Sequence, residues 1–141
     1  MIFQLDKATE FPDPRYGNED GFYAVGGEVT AEMLIKAYPM GIFPYFAFRE
    51  EPIIWWAPQK RFVIFSNEVH VSHSMRNLIN KRRYRCTVNQ AFPDVIAGCA
   101  CTDQRIEEYN AWLGPDLIDT WMDLNEEGYA KSVEVWDGDT L

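Results

Sequence analysis

Two histidines spaced H-x2-H (His70, His73), a C-x-C pair (Cys99, Cys101) and Cys86 are the side chains of this 141-residue chain with metal-binding chemistry. Zinc sites favour C-x2–4-C knuckles or H-x3–5-H pairs on a helix, and neither spacing occurs among these residues. Cys99 also falls on the apolar stripe of a predicted helix, where a thiol behaves as a small hydrophobe. The residues therefore argue against a metal site. Ser72 and Ser74 flank His73, but there is no G-x-S-x-G elbow, and adjacency in sequence does not make a nucleophile–base pair. Ser72 reads better as a helix cap. Glu107-Glu108 and Glu126-Glu127 are consecutive pairs that cannot face one another on a helix, and Gly26-Gly27 lacks the lysine of a phosphate-binding loop.

The aromatic and basic residues carry more. Tyr38, Phe43, Tyr45, Phe46, Trp55 and Trp56 crowd into 19 residues rich in proline and glycine, and Trp112 and Trp121 follow. Between Lys60 and Arg85 there are seven basic residues and one acid, a surplus of six, whereas the whole chain carries −9. Rings that can stack a base, beside cations that can follow phosphates, are the means by which proteins hold single-stranded RNA ends. Core packing for the rings and a solvated helix end for Lys81–Arg85 are the plainer readings.

These side chains need elements to place them. Phe11-Pro12-Asp13-Pro14 is an extended segment, because each residue before a proline is pushed out of the helical region. Thr30 caps a short predicted helix through Ala31, Leu34, Ile35 and Tyr38, closed by Pro39 and Gly41. Arg61–Phe65 is a candidate strand. Ser72 caps a helix to about Asn80 with Met75, Leu78 and Ile79 inward, and Tyr84–Asn89 is a strand. Asn89 is expected to cap the next helix, with Phe92, Val95, Ile96 and Cys99 on one buried face. Pro115-Asp116 opens a helix carrying Leu117, Trp121 and Leu124 on one stripe, Gly128 stops it, and Ala130–Trp136 is a strand with Val133 and Val135 sharing a face. Alternating strands and helices after Pro58 give an α/β or α+β arrangement. Asp137-Gly138-Asp139 is a hairpin signal followed only by Thr140 and Leu141, so the chain is expected to be the N-terminal piece of a longer protein.

Composition bounds the class. With 47% hydrophobic and 15% aromatic residues the chain has the apolar area that disordered polyelectrolytes lack. No apolar run approaches the ~18 residues needed to span a bilayer. The first residues lack the basic region of a secretory signal, and three cysteines in all suggest a reducing cytosol.

The stretches FPDP (Phe11–Pro14), GFYAVGGEVT (Gly21–Thr30), LIKAYPMGIFPYF (Leu34–Phe46), PIIWWAPQKR (Pro52–Arg61), VHVSHSM (Val69–Met75), YRCTVNQAFPDVIAGCA (Tyr84–Ala100) and YAKSVEVW (Tyr129–Trp136) occur in order over most of the chain. Together they resemble the N-terminal portion of the bacterial leucyl/phenylalanyl-tRNA–protein transferases. The resemblance implies an α+β chain, with a small N-terminal domain over residues 1–60 and the first part of an N-acetyltransferase-like α/β domain over 61–141. It implies a cytoplasmic aminoacyltransferase moving leucine or phenylalanine, and methionine less readily, from charged tRNA to proteins with N-terminal Arg or Lys. Such acceptors are thereby marked for degradation under the N-end rule, with no cofactor or metal and no membrane or DNA partner.

Residue by residue, the resemblance places Tyr38, Tyr45, Trp112 and Trp121 around the aminoacyl-adenosine, and Arg76, Lys81, Arg82, Arg83 and Arg85 on the tRNA. Tyr45 stands where the family more often has tryptophan, and Trp121 where it can have tyrosine. Catalytic polar residues and much of the donor pocket are expected beyond Leu141, so these 141 residues alone are expected to bind tRNA weakly, if at all, and not to turn over. Two other readings stay open. A non-catalytic RNA-binding module needs only the rings and cations, and a small-molecule acyltransferase needs a Q/R-x-x-G-x-A loop, which this sequence lacks.

Overall fold

Four short strands and one helix build the first part of the chain. The computed structural model describes residues 2–6, 10–45, 52–100, 113 and 115–141. Strands β1 (Phe3–Leu5), β2 (Phe22–Gly26), β3 (Phe43–Pro44) and β4 (Ile54–Trp56) form a mixed sheet in the order β1-β2-β4-β3, with β1 parallel to β2 and the other pairs antiparallel. Gly26 ends β2 at φ +89°, and a Cβ there would come within 2.7 Å of the Leu5 carbonyl oxygen, so the parallel pairing with β1 requires glycine. Trp55 is fully buried, takes Phe11 edge-on at 5.0 Å and donates its indole N–H to Gly26 O at 2.9 Å. Tyr23, also fully buried, donates its hydroxyl to Pro12 O at 2.5 Å, which anchors the extended proline segment.

Helix α1 (Ala31–Ala37) starts as the sequence predicts, with Thr30 Oγ1 accepting from Met33 N at 3.2 Å. It tightens into a 3-10 turn (Tyr38–Met40) and ends at Gly41 in the left-handed region. Its buried residues Met33, Leu34 and Ala37 join a core that continues through Phe92, Leu113, Leu117, Leu124 and Ala130. One core therefore runs through both parts of the chain.

The second part holds α2 (His73–Lys81), β5 (Arg85–Val88), α3 (Phe92–Ala100), α4 (Pro115–Glu126) and β6 (Val133–Trp136), with β5 and β6 paired antiparallel. The chain is α+β. Ser72 caps α2, its Oγ accepting from Met75 N at 3.3 Å, and Gly128 (φ +82°) follows α4. Leu117 and Leu124 are buried and Trp121 is half-buried on the same stripe, as the 3.6-residue period requires.

Four expectations are corrected. Arg61–Phe65 is not a strand, since no described residue pairs with it, and Phe62 is 92% exposed. Met75, Leu78 and Ile79 are exposed rather than inward; with Tyr84, Cys86 and Val135 they line an open cavity of about 370 Å³ between α2 and the β5–β6 pair. Cys99 is exposed as well, leaving Phe92 as the buried residue of α3 and Val95 and Ile96 half-buried. Asn89 does not cap α3. It sits at φ +54° with its Oδ1 accepting from Asn125 Nδ2 at 2.5 Å, while Gln90 N and Ala91 N donate to the Glu134 carboxylate at 3.1 and 3.3 Å.

That carboxylate explains the face β6 buries. Val133 and Val135 do share a face, but it is the exposed one; the covered face holds Glu134, at 1% exposure. Burial of Glu134 pushes its pKa up, and hydrogen bonds from Ser132 Oγ, Thr87 Oγ1, Ala91 N and Gln90 N outweigh that and hold it down to about 2. A buried anion survives because donors from β5 and from the residues just before β6 and α3 converge on it.

Candidate functional site

The 3-10 turn after α1 places Tyr38 against α4. Pro39 cannot continue the helix, so the chain turns there and leaves the Tyr38 ring 5.7 Å from that of Trp121, with the ring planes 33° apart. The two rings wall a cavity of about 260 Å³, completed by Leu34, Ile35, Pro39, Leu124, Tyr129 and Ala130. Its frame is tied by polar contacts. Thr120 Oγ1 donates to Val29 O at 3.2 Å, fixing α4 to the segment before α1, and Asn125 Nδ2 donates to Ala130 O at 2.8 Å.

The cavity is apolar with a small polar repertoire. Burial pushes the Tyr38 phenol up to about 12, so it stays protonated across the physiological range. The indole N–H of Trp121 is buried with no hydrogen-bond partner among the described residues. Flat apolar walls with few donors suit a planar heterocycle or an apolar side chain.

Of the four predicted ring residues, Tyr38 and Trp121 come together. Tyr45 follows β3, is 39% exposed, and is held through its N–H to Ile54 O at 3.2 Å; it does not line this cavity. Trp112 lies outside the described residues. Composition did not single out Tyr129, Leu124 or Pro39, because apolar residues at these positions look like ordinary core.

The cations gather around the end of α2 and β5. Arg76 is on α2, Lys81 is its last residue, Arg82 follows in the left-handed conformation (φ +47°), and Arg85 opens β5; all are exposed. Arg83 pairs with Asp137 at 3.2 Å and its guanidinium lies 5.1 Å from the Tyr84 ring. Arg85 lies over the Trp136 ring at 4.8 Å and keeps its charge, since a ring face does not neutralise a cation. Arg76, Lys81 and Arg82 have no ion pair among the described residues.

The other chemistry candidates disperse. Among the described residues no group of three or more His, Cys, Asp or Glu could hold a metal ion, Cys86 and Cys99 are exposed, and Cys101 lies outside them. Ser72 is occupied as a cap, and His73 Nδ1 is 3.3 Å from Asn77 Nδ2. Among the described residues no helix is long and apolar enough to cross a membrane.

Comparison with known proteins gives the family. The profile described as leucyl/phenylalanyl-tRNA protein transferase matches residues 63–141, and that of the N-terminal domain of the same proteins matches residues 27–59. A leucyl/phenylalanyl-tRNA–protein transferase of Flavobacterium psychrophilum is 41% identical over 137 residues, covering 97% of this chain and 64% of the relative. Relatives of that name from Anaeromyxobacter sp. and Pectobacterium atrosepticum are each 39% identical, covering 99% of this chain and 59% of theirs. The chain thus spans about three fifths of the length of the curated relatives it matches. It belongs to the leucyl/phenylalanyl-tRNA protein transferase family.

Proposed function

We propose that this chain holds the aminoacylated end of a tRNA for transfer of leucine or phenylalanine, and less readily methionine, to the N-terminal Arg or Lys of an acceptor protein. The product is a substrate for N-end-rule degradation in the bacterial cytoplasm. The observation that carries this reading is the apolar cavity walled by the Tyr38 and Trp121 rings. The exposed cations Arg76, Lys81, Arg82 and Arg85, with Arg83 paired to Asp137, support it from the electrostatic side. Tyr45 and Trp112 are assigned to the terminal adenosine on the family resemblance alone.

The chemistry asks little beyond placement. An aminoacyl ester is already activated, and an α-amine with a pKa near ~7.7–8 is partly nucleophilic at neutral pH. The amine attacks the ester carbonyl, loses a proton, and the tetrahedral intermediate expels the ribose hydroxyl. Holding the two reactants together supplies several kcal/mol of barrier lowering without a covalent enzyme intermediate. The residues that relay the proton are assigned to the two fifths of the relatives that this chain does not span. On this reading the 141 residues alone bind weakly and do not turn over, and transfer of radiolabelled leucine by them would refute that part.

A non-catalytic RNA module is the second reading, favoured by the cation cluster taken alone. The deciding experiment is filter binding of leucyl-tRNA against the same tRNA deacylated. Burying a leucyl side chain is worth ~1.5–3 kcal/mol, so a preference of about tenfold or more for the charged form is expected. Equal affinities would leave only the module.

A further inference from the structure

We infer that Arg61 is a positioning residue for the aminoacyl end, setting the turn that joins Tyr38 to Tyr45. The inference rests on the reading above. By sequence Arg61 belongs to the basic island, but its guanidinium is committed to the protein rather than free for phosphate. Its Nη2 donates to Gly41 O, its Nε donates to Pro58 O at 2.9 Å, and its Cζ lies 6.0 Å from the Phe43 ring centre. A planar cation bridging two carbonyls and a ring face makes contacts that a lysine ammonium cannot reproduce.

Gly41 shows how close the fit is. At φ +72° it needs glycine on conformational grounds, and a Cβ there would lie 3.0 Å from Arg61 Nη2 and 3.2 Å from its Cζ. The guanidinium thus occupies the side where a side chain would stand. Gly41 N donates to Tyr38 O at 2.9 Å and Ile42 N to Ala37 O at 3.0 Å, so the turn is closed from within and braced by Arg61 from outside. Beyond it, Phe43 and Pro44 enter the sheet beside Trp56 and Trp55, and Tyr45 N donates to Ile54 O. Tyr38 is held by Trp121 at one end and Tyr45 by β4 at the other. The brace on the turn between them sets their separation.

The test uses Arg61→Met, Arg61→Lys and Gly41→Ala in this chain. Amide exchange at Gly41 and Ile42 is read by NMR, and affinity by tryptophan fluorescence with a non-hydrolysable leucyl-adenosine amide. Loss of the charge-assisted bonds should speed exchange at both amides about tenfold in Arg61→Met and weaken the amide's binding by a similar factor, with partial rescue in Arg61→Lys. Gly41→Ala should do the same by displacing the guanidinium, and less when added to Arg61→Met, because the two act on one contact. This second route serves if Arg61→Met does not fold. Unchanged exchange at Gly41 and Ile42 overturns the inference, as do additive effects or faster exchange with unaltered affinity. If the unsubstituted chain fails to bind the amide while the turn still loosens in Arg61→Met, the transfer reading itself is wrong and the positioning role falls with it.

Discussion

Changing Lys81 to glutamine and, separately, Asp137 to asparagine should move the salt dependence of tRNA binding in opposite directions. Of the five cations assigned to tRNA, Arg83 is paired with Asp137 at 3.2 Å, while Arg76, Lys81, Arg82 and Arg85 keep uncompensated charge among the described residues. Each phosphate neutralised steepens the log–log dependence of affinity on salt by about 0.7 to 0.9, so four cations give a slope of roughly −2.8 to −3.6. Between about 50 and 200 mM salt, affinity should then fall roughly 50- to 150-fold. Lys81→Gln removes one contact and should leave a slope of roughly −2.1 to −2.7. Asp137→Asn frees Arg83 and should steepen the slope of the original chain by about 0.7 to 0.9. Filter binding over that salt range measures all three. A slope shallower than about −1 in the original chain, or an Asp137→Asn slope no steeper than it, would refute the assignment of these cations to phosphates.

Further outcomes follow from the fold. Glu134 has its pKa held down to about 2 against an ordinary 4.5, so the stability it contributes is present above pH 4.5 and lost as pH falls towards 2; a denaturation series should show Glu134→Gln flattening that acid limb. At the alkaline end, burial raises Tyr23 and Tyr38 to about 12 from 10.0, so stability falls as pH rises from 10 to 12, and phenolate absorbance should show both titrating late. Trp55→Ala removes a fully buried ring and its bond to Gly26 O, and should cost ~3–5 kcal/mol in urea unfolding.

Local signals were legible wherever the physics is local. Thr30 and Ser72 cap the helices they precede, Pro39 and Gly41 end α1, and the Leu117–Trp121–Leu124 stripe faces the core, because capping bonds and the helical period are set within a few residues. What failed depended on distant partners. Period-2 alternation in β6 distinguishes two faces without saying which is covered, and the face that the two valines share is the exposed one. Glu134 is buried only because the amides of Gln90 and Ala91, more than forty residues away, meet it, and those same bonds take over the role expected of Asn89. Arg61–Phe65 has strand-forming residues and no described partner, and propensity alone makes no ladder.

Part of the site could be read in the same way. Clustered aromatics and a basic island pointed towards an RNA end, but their sorting into core and cavity is tertiary. Trp55, counted among the clustered rings, is a core residue, whereas Tyr38 and Trp121 meet from elements more than eighty residues apart. Arg61, counted in the basic island, is turned onto two backbone carbonyls that no spacing rule would reveal.

The most direct measurement is an NMR titration of the chain with non-hydrolysable leucyl-adenosine amide, following the Trp121 indole N–H and the Met75 methyl group. The Trp121 ring walls this cavity, so its indole N–H resonance should shift on saturation while Met75, in the separate groove beside α2, stays in place. A shift confined to Met75, or none at either position, would contradict the assignment of the Tyr38–Trp121 cavity to the aminoacyl end.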